Sequence, residues 1–215
     1  KTVKANIGIS NSSVTLRSAE TGKIIYNHNG SVPRQTASNL KLLTGAAVLQ
    51  ELGEDFRFET NVYIDGELLG NVLNGDIYLQ GSGDPTLLYS NLQEMAKRLK
   101  QAGVKQVNGH IYLDDTVFTG STLPPGAPPS EQTYYYAART SALNLSPNED
   151  FDAGTVIVQA TGTKSGKAPD IKVIPHISGQ KIVNRARTGK TTSLSVRRQY
   201  NTNQIIISGT IAPGR

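Results

Sequence analysis

The sequence predicts an α+β fold, with a hairpin and one apolar helix at the start and a strand-rich remainder. Three observations carry this reading. The stretch opened by Ser38 stays apolar and free of proline until Gly53, as a helix requires. From Thr155 to Ile211 the apolar residues fall in short β-branched runs separated by Gly, Pro, Asn and Ser, the signature of strands and turns. Between these regions, only the segment around Leu92, Met95, Ala96 and Leu99 repeats at helical spacing.

Residues 5–27 read as the first element, a hairpin. Ile7, Ile9, Val14 and Leu16 lie in its first arm, Ala19 to Gly22 supply the turn, and Lys23-Ile24-Ile25-Tyr26 return. The Ser38 helix follows, with Gly53 placed to stop it after Leu52. Phe58, Thr60, Val62 and Ile64 alternate along a strand expected to end at Asp65-Gly66. A second strand precedes an expected turn at Asn74-Gly75, and Asp76-Ile77-Tyr78-Leu79 continues beyond it. Ser90 is the expected cap of the second helix, with Gln93 as its capping-box partner and Gly103 as its stop. The hexapeptides at 74–79 and 108–113 differ at one position, Asp76 against His110. Two copies do not make a solenoid, so they predict a pair of similar turn-strand units in one small sheet.

Residues 116–136 carry Pro124, Pro125, Pro128 and Pro129 and then Tyr134-Tyr135-Tyr136. A loop of that length bounds a subdomain or carries function. Beyond it, strands are predicted at Thr155–Ala160, Ile171–Ile174, Lys181–Asn184, Ser193–Arg197 and Gln204–Ile211.

Composition narrows the chemistry. The chain has no cysteine, so it has no disulfide framework, thiolate nucleophile or thiolate metal site. No apolar run is long enough to span a bilayer. The net charge of +5 is uneven, because residues 161–215 hold ten basic residues and a single acid, Asp170. Such a segment suits an anionic wall polymer or membrane surface, although a solvated basic face is the plainer reading. No nucleic-acid-binding motif accompanies it, and nucleic acid is not an expected partner. His28, His110 and His176 lie far apart without ligand spacing, and no metal or other cofactor is expected. Gly81-Ser82-Gly83-Asp84-Pro85-Thr86 lacks the third glycine of a dinucleotide loop and reads as a turn.

The strongest chemical signal is Ser38 with Lys41. Spacing i, i+3 on a helix places hydroxyl and amine on one face. Lys41 is the only charged residue between Arg34 and Glu51. Burial in so apolar a segment favours the neutral amine, and a base beside a hydroxyl is an activated-nucleophile pair. A second Ser-x-x-Lys, Ser178-Gly179-Gln180-Lys181, has glycine inside it and reads as a turn. A serine-lysine acyl transferase also needs Ser-x-Asn and Lys-Thr/Ser-Gly. Ser146-Pro147-Asn148, Lys164-Ser165-Gly166 and Arg187-Thr188-Gly189 imitate them in turn-like contexts, and all three read as chance matches.

Longer strings agree with one family. Thr36-Ala-Ser-Asn-Leu-Lys-Leu-Leu-Thr44, Tyr78-Leu-Gln-Gly-Ser-Gly-Asp-Pro-Thr-Leu87 and Thr140-Ser-Ala-Leu-Asn-Leu-Ser-Pro-Asn-Glu-Asp-Phe-Asp-Ala-Gly154 resemble class C low-molecular-weight penicillin-binding proteins, of Bacillus type. These are D-Ala-D-Ala carboxypeptidase/endopeptidases. Thr36 departs from the proline usual there. The resemblance implies a serine β-lactamase/transpeptidase-like domain interrupted by inserted β-rich domains. Residues 1–60 would be its N-terminal part and 61–215 the insertion, with the C-terminal half of the catalytic domain, and the true second and third motifs, outside this chain. It further implies acylation of Ser38 by peptidoglycan stem peptides and by β-lactams, Lys41 as base, and an extracytoplasmic location. Glu131 and Tyr136 are the expected contacts for the stem-peptide side chain, and no transmembrane segment is expected. The competing expectation is a non-catalytic wall-binding module using residues 161–215.

Overall fold

A computed structural model describes residues 12–123 and 129–214. The chain divides into two compact units, Lys1–Phe56 and Arg57–Arg215.

In the first unit, β1 (Val14–Arg17) and β2 (Ile24–His28) pair antiparallel. The connecting turn is closed by the Ser18 N–H to the Lys23 carbonyl at 2.9 Å and the Gly22 N–H to the Ser18 carbonyl at 3.0 Å. Ile7 and Ile9, assigned to the first arm, lie outside the described residues. A 3-10 turn at Ala37–Asn39 leads into α1 (Leu40–Leu52). Gly53 stops it with φ 79 and donates its N–H to the Leu49 carbonyl at 3.2 Å, a conformation that glycine adopts without a Cβ penalty. No residue of α1 is buried.

The second unit opens with a long hairpin of β3 (Asn61–Leu69) and β4 (Val72–Gln80), paired from Asn61 with Gln80 through Leu69 with Val72. Here the structure corrects the sequence reading. Asp65-Gly66 and Asn74-Gly75 are not turns, since Gly66 sits opposite Gly75 in mid-ladder and the chain reverses at Gly70-Asn71. A Cβ on Gly66 would run into the Asn74 carbonyl, and one on Gly75 into the Asp65 carbonyl. These glycines therefore serve the close approach of two backbones.

After β4 the chain forms α2 (Tyr89–Gln101), then β5 (Gln106–Asn108) and β6 (Ile111–Asp114), both parallel to β4. A parallel return needs such a crossover helix. Leu73, Ile77 and Val104 form the core beneath it, with Leu99 of α2 and Val62 of β3 packed against them. The expected cap at Ser90 is displaced. Leu88 caps α2, its N–H held at 2.8 Å by the Asn91 side chain, so Ser90 falls inside the first turn. The near-repeat hexapeptides lie strand on strand in register, Ile77 beside Ile111, Tyr78 beside Tyr112 and Leu79 beside Leu113.

The 116–136 loop contains only short 3-10 turns, at Pro129–Thr133 and Tyr135–Ala137, among its described residues. β7 (Ile157–Thr161) and β8 (Asp170–Ile174) then pair antiparallel. The last sheet forms around β12 (Gln204–Ile211). β9 (Lys181–Asn184) and β10 (Arg187–Thr188) run parallel to it, and β11 (Ser193–Arg198) runs antiparallel. Ile205, Ile206 and Ile207 are all buried, the continuous apolar run of a strand covered on both faces. The α+β expectation therefore stands, with two mixed four-stranded sheets and two antiparallel hairpin sheets.

Candidate active site

Ser38 sits in the 3-10 turn and Lys41 in the first turn of α1. The change from 3-10 to α winding keeps them on one side, and Lys41 Nζ donates to Ser38 Oγ at 3.2 Å. The turn is closed by the Asn39 N–H to the Thr36 carbonyl at 3.0 Å. Ala37, just before the serine, has φ 44, a left-handed conformation costing a residue with a Cβ about 1–2 kcal/mol. Strain of this kind concentrates at functional sites. Alanine leaves no trace of it in the sequence.

One expectation about this pair is corrected. The reading from sequence placed Lys41 in a desolvated apolar setting, but Ser38, Lys41 and the flanking Leu40, Leu42 and Leu43 are all exposed. Leu42 and Leu43 keep 76% and 69% of their surface. The helix supplies proximity and orientation, and α1 itself does not bury the pair.

Glu131 and Tyr136 lie in the second unit, on the two 3-10 turns of the long loop. The Tyr134 N–H donates to the Glu131 carbonyl at 2.8 Å. Tyr134 and Tyr136 stack at 5.4 Å, and Tyr135 meets Tyr136 edge-on at 5.5 Å. Local desolvation, and then the negative charge of Glu131, push the Tyr136 phenol above its ordinary value. The acidic and aromatic residues thus form one cluster, with the three tyrosines exposed and Glu131 half-buried.

The chance matches are structural. Ser146 is 1% exposed, and its hydroxyl donates to the Pro85 carbonyl at 2.6 Å. Asn148 is engaged with Asp150 at 2.7 Å. Lys164-Ser165-Gly166 is a surface turn, and Thr188 is buried in β10. Ser178-Gly179 is a turn as expected, closed by the Gln180 N–H to the Ile177 carbonyl at 3.3 Å. In the Gly81–Thr86 segment, Asp84 Oδ1 accepts from the Thr86 N–H at 2.8 Å and its hydroxyl at 2.7 Å, a side-chain-closed turn. Among the described residues, no group of His, Asp and Glu has the spacing of a metal site, and no helix is long and apolar enough to cross a membrane.

Residues 2–214 match the family model for D-Ala-D-Ala carboxypeptidase 3 (S13). The chain belongs to that family. It is 34% identical over 203 residues to the D-alanyl-D-alanine carboxypeptidase of an Actinomadura species, covering 93% of this chain and 38% of that protein. It is 29% identical over 139 residues to D-alanyl-D-alanine carboxypeptidase DacB of Haemophilus influenzae, covering 65% of this chain and 29% of that one. The chain therefore spans well under half the length of the curated relatives it matches. The fold is that of penicillin binding protein 4 from Haemophilus influenzae, with TM-score 0.73, 22% identity, and coverage of 93% of this chain and 44% of that one. A second structure of that protein, complexed with a novel β-lactam, matches with TM-score 0.62 at 21% identity, covering 94% of this chain and 42% of that one.

Proposed function

We propose that this chain supplies the nucleophile and general base of a serine D-Ala-D-Ala carboxypeptidase/endopeptidase. The observation that carries the reading is the 3.2 Å approach of Lys41 Nζ to Ser38 Oγ at the head of α1. Ser38 Oγ attacks the carbonyl between the terminal D-alanines of a stem peptide while Lys41 takes its proton. D-Alanine leaves, and water releases the acyl group from Ser38. β-Lactams acylate the same oxygen. The Ser38 N–H offers one donor to the developing oxyanion. Glu131 and Tyr136 hold the amine-bearing side chain of the stem peptide, the carboxylate by charge and the ring face by cation–π attraction. Their mutual proximity supports this assignment.

Residues 1–60 are read as the N-terminal part of the penicillin-binding domain and 61–215 as domains inserted into it. The exposed, all-round apolar surface of α1 supports this reading, because such a helix belongs inside a core. The remainder of that domain would cover it, desolvate Lys41 and bring the second and third motifs. A peptidoglycan substrate would lie outside the cytoplasm, and the protein is accordingly read as extracytoplasmic.

Labelling the full-length protein with a fluorescent penicillin tests the assignment. Ser38→Ala is expected to abolish labelling, and a variant that still labels overturns it. The 215 residues alone are expected not to release D-alanine from D-Ala-D-Ala peptides, and measured turnover by them would rule out the need for a second half. The wall-binding alternative draws support from the exposed basic side chains of the last sheet and its connections, Lys181, Arg185, Arg187 and Arg197 among them. It predicts salt-sensitive binding to wall polymer that Ser38→Ala leaves unchanged.

A further inference from the structure

Within the second unit lies a cavity of about 610 Å³, bounded by the tyrosine loop, the segment from Asp150 to Val158, the Ser178 turn and strands β11 and β12. That volume is in the range of small-molecule sites. Its polar lining is electrostatically incomplete. Arg139 is fixed by Nη1 to Thr122 Oγ1 at 3.0 Å and Nη2 to Asn201 Oδ1 at 3.2 Å, while its Nε is buried with no partner. Arg198 enters from the rim, its Nε donating to the Thr202 carbonyl at 3.0 Å. Partial burial, and then the charge of Arg139, push the Arg198 guanidinium below its ordinary value. Neither Arg139 nor Arg198 is in an ion pair with a carboxylate among the described residues.

Two further observations point to a ligand. Gln132, 9% exposed, lines the cavity with both its amide nitrogen and its amide oxygen buried and unpartnered. A buried amide with no partner on either side is rare in a native structure. Asp150 and Asp152 also line the cavity, and neither is paired with a cation. The cavity thus holds two cations and two anions that do not neutralise one another.

We propose that this cavity binds a short peptide by its two ends, the free C-terminal carboxylate on Arg139 and Arg198 and the free amine on Asp150 and Asp152. Guanidinium groups are the preferred partners of a carboxylate, which they grip bidentately. The site uses neither Ser38 nor Lys41. It rests on the proposed carboxypeptidase activity only for the choice of probe.

The test is a titration of the isotopically labelled 215-residue chain with D-Ala-D-Ala, followed by amide chemical shifts. Shifts are expected at residues 132, 139, 150–152 and 198. The C-terminal amide of the dipeptide, and the variant Arg198→Gln, are each expected to weaken binding tenfold or more, and N-acetylation severalfold. Arg198→Lys, which keeps the charge but not the planar fork, is expected to fall between, and it carries the test should Arg198→Gln fail to fold. Ser38→Ala is expected to leave the affinity unchanged, so loss of penicillin labelling and loss of this site are separable. The proposal is overturned by equal binding of the amidated dipeptide, by wild-type affinity in both Arg198 variants, or by shifts confined to other surfaces. Inorganic phosphate binding as tightly as the dipeptide, with no effect of N-acetylation, would reduce the cavity to an anion site and overturn the peptide assignment.

Discussion

Tyr78 and Tyr112 stack with ring centroids 5.0 Å apart and planes 17° from parallel. The contact is a sequence near-repeat realised as tertiary structure. Strands β4 and β6 run parallel with Tyr78 opposite Tyr112, so equivalent side chains of the two hexapeptides meet. The same register brings Asn108 Nδ2 to Asn74 Oδ1 at 3.1 Å and Gln80 Nε2 to Asp114 Oδ2 at 2.7 Å. Crossing through α2 sets the second copy beside the first. Tyr112→Ala removes a stacked pair and part of its apolar contact, and is expected to cost about 1–2 kcal/mol. Urea unfolding of the 215-residue chain measures it, and a change below a few tenths would show the stack to be incidental.

Lys41→Met keeps the length and apolar stem of the side chain but removes the amine that reaches Ser38. Acylation by penicillin in the full-length protein is expected to slow by about 10²–10⁴-fold, the range for loss of a general base, with Ser38 still present. Rapid-mixing kinetics with the fluorescent penicillin would read this. An unchanged acylation rate would remove Lys41 from the mechanism.

Ser146→Ala separates structural from chemical serines. It leaves the Pro85 carbonyl without its 2.6 Å donor in a buried site, and is expected to cost about 1–3 kcal/mol. Penicillin labelling by the full-length protein is expected to persist. A stable variant with lost labelling would return Ser146 to the list of reacting groups.

Asp114 makes the second unit sensitive to acid. Its carboxylate accepts from the Thr116 hydroxyl at 2.6 Å, the Thr116 N–H at 2.9 Å and Gln80 at 2.7 Å. These bonds, the Thr116 hydroxyl foremost, hold its carboxyl below the ordinary aspartate value. The folded state therefore gives up this proton more readily than the unfolded state. The associated stability is fully present above about pH 4 and is lost as pH falls through the folded value. Asp114→Asn is expected to flatten that acid limb when denaturant midpoints are compared from about pH 6 to about pH 2. An acid limb identical to wild type would show that other carboxylates control it.

Local punctuation was legible wherever it acts through the backbone of its own segment. Gly53 and Gly103 end the two helices, Ala19 to Gly22 turn the first hairpin, and the β-branched runs after Thr155 became strands close to their expected bounds. The errors arose where a partner strand decides. Asp65-Gly66 and Asn74-Gly75 look like turns because glycine permits them, yet each glycine is there for the other's backbone. Asn91 displaced Ser90 at the head of α2 because its side chain folds back onto Leu88.

By itself the sequence determined the α+β class, the family, and the pairing of Ser38 with Lys41, since i, i+3 spacing on a helix fixes that proximity whatever surrounds it. The tertiary structure decided what depends on distant segments. It exposed Lys41 within its own unit, set Ala37 in a left-handed conformation, laid one hexapeptide on the other, and gathered Arg139, Arg198 and Gln132 around one cavity. Burial and electrostatic environment are sums over neighbours in space, and sequence spacing reports only neighbours along the chain.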